Sequence, residues 1–129
     1  MTDEERMAAA TKLFASWSSK AIEDIGAEGG NSRFAGEMAQ LSLDNVFARL
    51  WIREGLDLRA RSLLTLGILI ALRAYDELLV HFPIAVKNGC TIEELEEVIY
   101  HATAYAGFPA ANVARRAALE TLRREKVIE

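Results

Sequence analysis

Residues 55–88, GLDLRARSLLTLGILIALRAYDELLVHFPIAVKN, are the stretch on which the fold turns. They contain the longest apolar run of the chain, residues 63–72, with Arg61 before it and Arg73 after it. Five residues later come a carboxylate and an imidazole, Glu77 and His81, spaced four apart. On a helix that spacing sets both side chains on one face, one turn apart. Asp57 stands where an N-cap is needed, so a helix is predicted over 58–73. From Leu63 onward this helix is apolar on most sides, which places it either at the centre of a monomer or beneath a partner. In a chain of 129 residues few layers exist to hide such a helix, which favours self-association.

Outward from that stretch the helical pattern continues. Residues 75–88 read as a second helix ended by Gly89, with Pro83 inside it. Proline there deletes the bond to the carbonyl of Leu79 and bends the helix just past His81. The bend either shapes a pocket around His81 or fits the helix to its neighbours. Thr91 and Glu94 form a capping box for a helix running to about 106, where Gly107 stops it. Glu93, Glu94, Glu96 and Glu97 suit the start of that helix and read as a solvated face. Pro109 suits the first turn of a last helix ending near 125.

Upstream, residues 2–25 read as one helix with a Thr2/Glu5 capping box and a stop at Gly26. Trp17 on it is either core or a subunit contact. GAEGGNS, residues 26–32, reads as a linker. Residues 33–53 read as helical in one or two pieces, with Ser42 or Asp44 as the cap of the second. No stretch alternates with period two, so the expected fold is all-α, in a single domain.

Composition excludes several classes. Apolar residues make up 51 % of the chain and the net charge is −4, which argues against disorder and against a nucleic-acid surface. The apolar run is far short of the roughly 20 residues a bilayer needs. The acidic start, MTDEERM, lacks the form of a signal peptide, so a soluble cytoplasmic protein is expected. Cys90 is the one cysteine, which excludes an intrachain disulfide and a resolving thiol; it reads as structural or incidental. No phosphate loop follows the glycines, and no nucleophile elbow occurs.

The side chains able to do chemistry are few. Glu77 and His81 are either a proton-moving pair or an exposed ion pair contributing about 0.3–0.5 kcal/mol. His101 and Tyr105 form a second pair four apart, either ligand or oxyanion donors or amphipathic core groups. A metal site from Glu77, His81 and His101 lacks the usual ligand spacing, and none is expected.

Three blocks in order, GLDLRARSLLTLGILIAL, ELLVH and AVKNGCTIEELEEVIYHATAYAGFPAANVARRAALETL, resemble the carboxymuconolactone decarboxylase family over residues 50–122. The resemblance implies the alkylhydroperoxidase D-like bundle of six to seven helices. The peroxidase branch of that superfamily carries C-x-x-C-x-x-x-H; here His81 aligns, but Ala74 and Glu77 replace the cysteines, so thiol peroxidase chemistry has no nucleophile. Residues 77–81, ELLVH, match instead the E-L-x-x-H element of the decarboxylase-like branch. Tyr105, Gly107, Pro109 and Asn112 match a Y-x-G-x-P-A-A-N element, with Ala106 where a cysteine often stands. The implied reaction is loss of CO2 from a small carboxylated lactone such as 4-carboxymuconolactone, in aromatic catabolism, without metal or organic cofactor. His81 is then the proton donor, oriented by Glu77. Arg61, with Arg53 second, holds a substrate carboxylate, and His101 or Tyr105 donates to the oxyanion. A homo-oligomer, trimer or hexamer, is implied as well. The alternatives are a same-fold enzyme on another small organic acid and a non-catalytic helical oligomer.

Overall fold

The computed structural model describes the backbone of residues 1–29 and 33–129, and the side chains of 1–24 and 33–129. Among these residues the secondary structure is helical throughout: α1 Asp3–Ser16, α2 Lys20–Gly29, α3 Met38–Ser42 running on into a π-helix Leu43–Trp51, then α4 Leu58–Ala71, α5 Tyr75–Lys87, α6 Ile92–Tyr105 and α7 Phe108–Arg124. The expected all-α bundle is observed.

Local signals explain most of the boundaries. Thr2 and Glu5 make the reciprocal capping box of α1, and Thr91 and Glu94 make that of α6. The Asp57 side chain accepts from the Ala60 amide at 2.7 Å and opens α4. Gly89, at φ 99°, closes α5 in the left-handed conformation. Gly107, at φ 95°, separates α6 from α7, and Pro109 lies in the first turn of α7.

Two expectations fail. The first helix does not run from 2 to 25. It ends at Ser16, and Ser19 starts α2, its buried hydroxyl accepting from the Ile22 amide at 3.3 Å. Gly26 is no stop, because α2 continues to Gly29; of the expected linker, residues 30–32 lie outside the described residues. Burial of Trp17 sets the break: its indole is held in the interior by a bond to Asn88, and the chain turns to leave it there. Neither Ser42 nor Asp44 caps a second piece of the next helix. Ser42 makes no capping bond, and Asp44 accepts instead from Gln40 Nε2 at 2.8 Å as the helix passes straight into π geometry.

Helices α4 to α7 enclose the main core: Leu66 and Ile70 of α4, Leu78 and Phe82 of α5, Leu95 of α6, and Ala110, Ala114, Ala117 and Leu122 of α7. Each fully buried Leu, Ile or Phe side chain contributes about 1.5–3 kcal/mol. The alanines of α7 let it lie close against α5. Pro83 costs α5 the backbone bond to the Leu79 carbonyl, as expected, and α7 repairs the loss: Thr121 donates its hydroxyl to that carbonyl at 2.6 Å. Trp17, Ala21, Trp51, Val80 and Ile84 form a second, smaller core, joining α1, α2 and the π-helix to the back of α5.

Helix α4 is not hidden on every side. Its inner stripe, Ser62, Leu66 and Ile70, is buried, whereas Leu64, Ile68 and Leu72 are 56, 52 and 70 % exposed. Among the described residues no helix is long and apolar enough to cross a membrane.

Candidate active site

His81 projects from the middle of α5 toward the smaller core. Its ring lies on the indole of Trp51, with centroids 6.2 Å apart and planes 18° from parallel. Trp51 is the last residue of the π-helix and only 6 % exposed. Trp17 in turn stands edge-on against Trp51, at 4.9 Å and 78°. The Trp17 Nε1 donates to Asn88 Oδ1 at 3.0 Å, and Asn88 Nδ2 donates to Ser62 Oγ at 2.9 Å. A polar chain thus anchors Trp17 to the ends of α4 and α5, and Trp17 supports the indole that covers His81.

Burial alone moves the His81 pKa, down from 6.5 to about 4. At neutral pH the ring is therefore neutral. Its Nδ1 is buried and has no hydrogen-bond partner. This reverses the direction expected from a neighbouring carboxylate. The Glu77 side chain, one turn earlier, is exposed, and its charge has no part in the shift. Helical spacing put the two residues on neighbouring turns, but His81 faces inward while Glu77 stays in solvent.

The two arginines meet at the start of α4. Arg61 Nη2 donates to the Arg53 carbonyl at 3.1 Å, while Arg61 Nε is buried without a partner. Arg53 is exposed. It lies with Trp51, Ile52, Leu56 and Leu58 along an open cleft of about 480 Å³. Trp51 therefore borders the cleft as well as the His81 ring and Trp17.

His101 and Tyr105 are elsewhere. Their rings stack at 5.1 Å along a broad groove of about 610 Å³ between α4 and α6, floored by Leu63, Gly67 and Ala71 and edged by Glu93 and Glu97. Both side chains are exposed, Tyr105 by 85 %, so neither is a core residue. Within one chain the six residues predicted from sequence thus divide into Arg53 and His81, each next to Trp51, with Arg61 bonded to Arg53, an exposed Glu77, and a separate His101–Tyr105 pair. Among the described residues no three His, Cys, Asp or Glu side chains converge as metal ligands. Cys90 is buried against the Arg59 carbonyl, and burial raises its thiol pKa.

Sequence reasoning missed Trp51, Asn88 and Ser62. A Trp at a helix end is visible in the sequence, but nothing local links it to a histidine thirty positions away.

An all-helical bundle with a half-buried imidazole on α5 and an arginine at the start of α4 agrees with a known class. The chain belongs to the carboxymuconolactone decarboxylase family, whose model matches residues 37–120. That match begins before residue 50 and takes in the π-helix with Trp51. Among curated proteins, the chain is 42 % identical over 77 residues to a 4-carboxymuconolactone decarboxylase of Acinetobacter baylyi, covering 60 % of this chain and 58 % of that protein. It is 41 % identical over 71 residues to nitrosuccinic acid decarboxylase npaB of Metarhizium robertsii, covering 55 % of this chain and 50 % of that protein. The chain thus matches between half and three-fifths of the length of these relatives.

Proposed function

We propose that this protein is a decarboxylase of small carboxylic acids, 4-carboxymuconolactone being the first substrate to test, with His81 delivering the proton that replaces CO2. The half-buried imidazole, whose Nδ1 is sealed from water and unpartnered, carries the reading. A buried polar atom left without a partner costs about 1–3 kcal/mol, and a bound substrate can supply that partner. The two relatives named as decarboxylases support the reaction class.

The chemistry of the two named substrates has a common part. Loss of CO2 leaves an electron pair, which flows into an acceptor already in the molecule: the conjugated lactone carbonyl in one case, the nitro group in the other. Because the electron sink belongs to the substrate, this reaction needs neither metal nor organic cofactor. The protein must hold a carboxylate, steady the developing oxyanion and give a proton to carbon. Arg61 and Arg53 are assigned to the carboxylate. His81 starts neutral; a substrate anion beside it raises its pKa, so it takes a proton from solvent as substrate arrives. As the bond to CO2 breaks, that proton passes to the carbon and the ring returns to its neutral form.

Glu77 is assigned to steadying the charged ring, which requires its side chain to turn inward once substrate is bound. His101 and Tyr105 are assigned to the oxyanion through association of chains, because within one chain they line a different groove. The apolar stripe of Leu64, Ile68 and Leu72 supports such association, as a trimer or hexamer.

The test is release of CO2 and the change in ultraviolet absorbance with 4-carboxymuconolactone and with nitrosuccinate, comparing wild type with His81→Ala. Wild type is expected to turn over at least one of them, and the variant to lose about 10²–10⁴-fold. Equal rates in the two proteins remove His81 from the mechanism, and no turnover of either acid removes the substrate class. Glu77→Gln separates a carboxylate that turns onto the ring from one that stays in solvent.

A further inference from the structure

We propose that Trp51 is the positioning residue of this site: its indole, set near-parallel beside the imidazole, shields the His81 ring from water and fixes the plane in which it meets substrate. The inference extends the decarboxylase reading, since a role in positioning presumes that His81 acts.

Three observations converge on Trp51. The near-parallel, offset contact at 6.2 Å and 18° sets the indole beside the His81 ring. The indole also lines the cleft that holds Arg53, so it borders both that cleft and the imidazole. Finally, the indole is itself braced, by Trp17 edge-on and, through Trp17, by Asn88 and Ser62. Trp51 stands at the end of nine residues of π-helix, a geometry that is rare and frequently found at functional sites. An i→i+5 turn changes the direction in which the residues after it point, and here it brings Phe47 and Trp51 together against Trp17.

No charge competes with this cover. The elements packed on α5 are α7, α4 and α2, with the π-helix reaching it through Trp51. Burial is the cause of the ring's lowered pKa. Arg61 of α4 is turned onto the Arg53 carbonyl, and Glu77 on α5 itself is exposed. Uncovering the ring should therefore register directly in its titration.

The experiment follows the carbon-bound imidazole protons by NMR against pH in wild type, Trp51→Phe, Trp51→Ala and Trp17→Phe, with the two histidines told apart by His101→Gln. In wild type the midpoint of His81 is expected near 4. Trp51→Phe, which keeps a flat apolar face, should hold it low, and Trp51→Ala should move it up toward the ordinary 6.5. Trp17→Phe loosens the same cluster without uncovering the imidazole, so it should lower stability and leave the midpoint in place. A folded Trp51→Ala protein with an unmoved midpoint overturns the proposal, as does a Trp17→Phe midpoint that moves as far. A second measurement needs no variant: exchange of the ring C2 hydrogen with deuterated solvent should be slow at His81 and fast at the exposed His101, and equal rates overturn the proposal. If the titrations behave as stated while wild type turns over neither acid, the activity reading fails and the role of Trp51 in shielding His81 stands. If turnover depends on His81 while Trp51→Ala leaves titration and kcat/KM against pH unchanged, the role of Trp51 fails by itself.

Discussion

Acid should unfold this protein earlier than its carboxylates alone require, because of one ring. The folded state holds His81 at a pKa of about 4, whereas the unfolded chain returns it to about 6.5. Between those values the unfolded state carries a proton that the folded state refuses. Stability therefore falls as pH falls through this window, and it is fully present above 6.5. The whole difference amounts to about 3 kcal/mol, of which about 2 kcal/mol is already lost between pH 7.5 and pH 5. Against a total of roughly 5–15 kcal/mol that is a large share. The measurement is urea unfolding followed by circular dichroism at pH 7.5 and pH 5, at one protein concentration because association would add to stability. Wild type should lose about 2 kcal/mol over this interval, and His81→Gln, which cannot take the proton, should lose less by nearly that amount. Asp24 does not confuse the result, since Arg124 holds its carboxyl below the usual 3.8 and it titrates beneath the window. Equal losses in wild type and His81→Gln would refute the reasoning and mean that the imidazole is wet.

Three further outcomes are expected. Thr121→Val strands the Leu79 carbonyl and should cost about 1–3 kcal/mol in urea unfolding; adding Pro83→Ala restores a backbone donor and should shrink that cost, and a cost unaltered by the second change contradicts the repair. Gly89→Ala should lower stability by about 1 kcal/mol through its left-handed backbone alone, since an added methyl meets nothing within 4 Å, and a thermal melt no lower than wild type contradicts this. Ile68→Glu on the exposed stripe of α4 should reduce the mass seen by light scattering while leaving helix content unchanged; a wild-type protein that is already a monomer removes this expectation.

What the sequence revealed, and what it hid, follows from distance along the chain. The two capping boxes, the Asp57 cap and the glycine ends of α5 and α6 depend on groups three to six residues apart, and all were legible. The proline defect at 83 was legible too, but the hydroxyl that answers it, 42 residues beyond the Leu79 carbonyl, was not. Spacing placed Glu77 and His81 a turn apart. It did not tell which of the two would face the interior, because that depends on what packs opposite. The break at Trp17 was invisible for the same reason: only the buried partners of its indole show that the helix must turn there. The π-helix escaped as well, since its apolar positions were read with the α-helical period. Recognition of the family supplied the fold and the list of reactive residues, but the division of that list between two surfaces required coordinates.

The bond from Thr121 to the Leu79 carbonyl also bears on how α7 finds its place. Ala110, Ala114, Ala117 and Ala118 give that helix a smooth contact face, with little in its relief to tell one longitudinal setting from the next. A single directional attachment at the proline notch works like the pin of a sliding bolt. It selects one alignment, and a one-turn slip of α7 would leave both the hydroxyl and the carbonyl sealed away from water with nothing to meet.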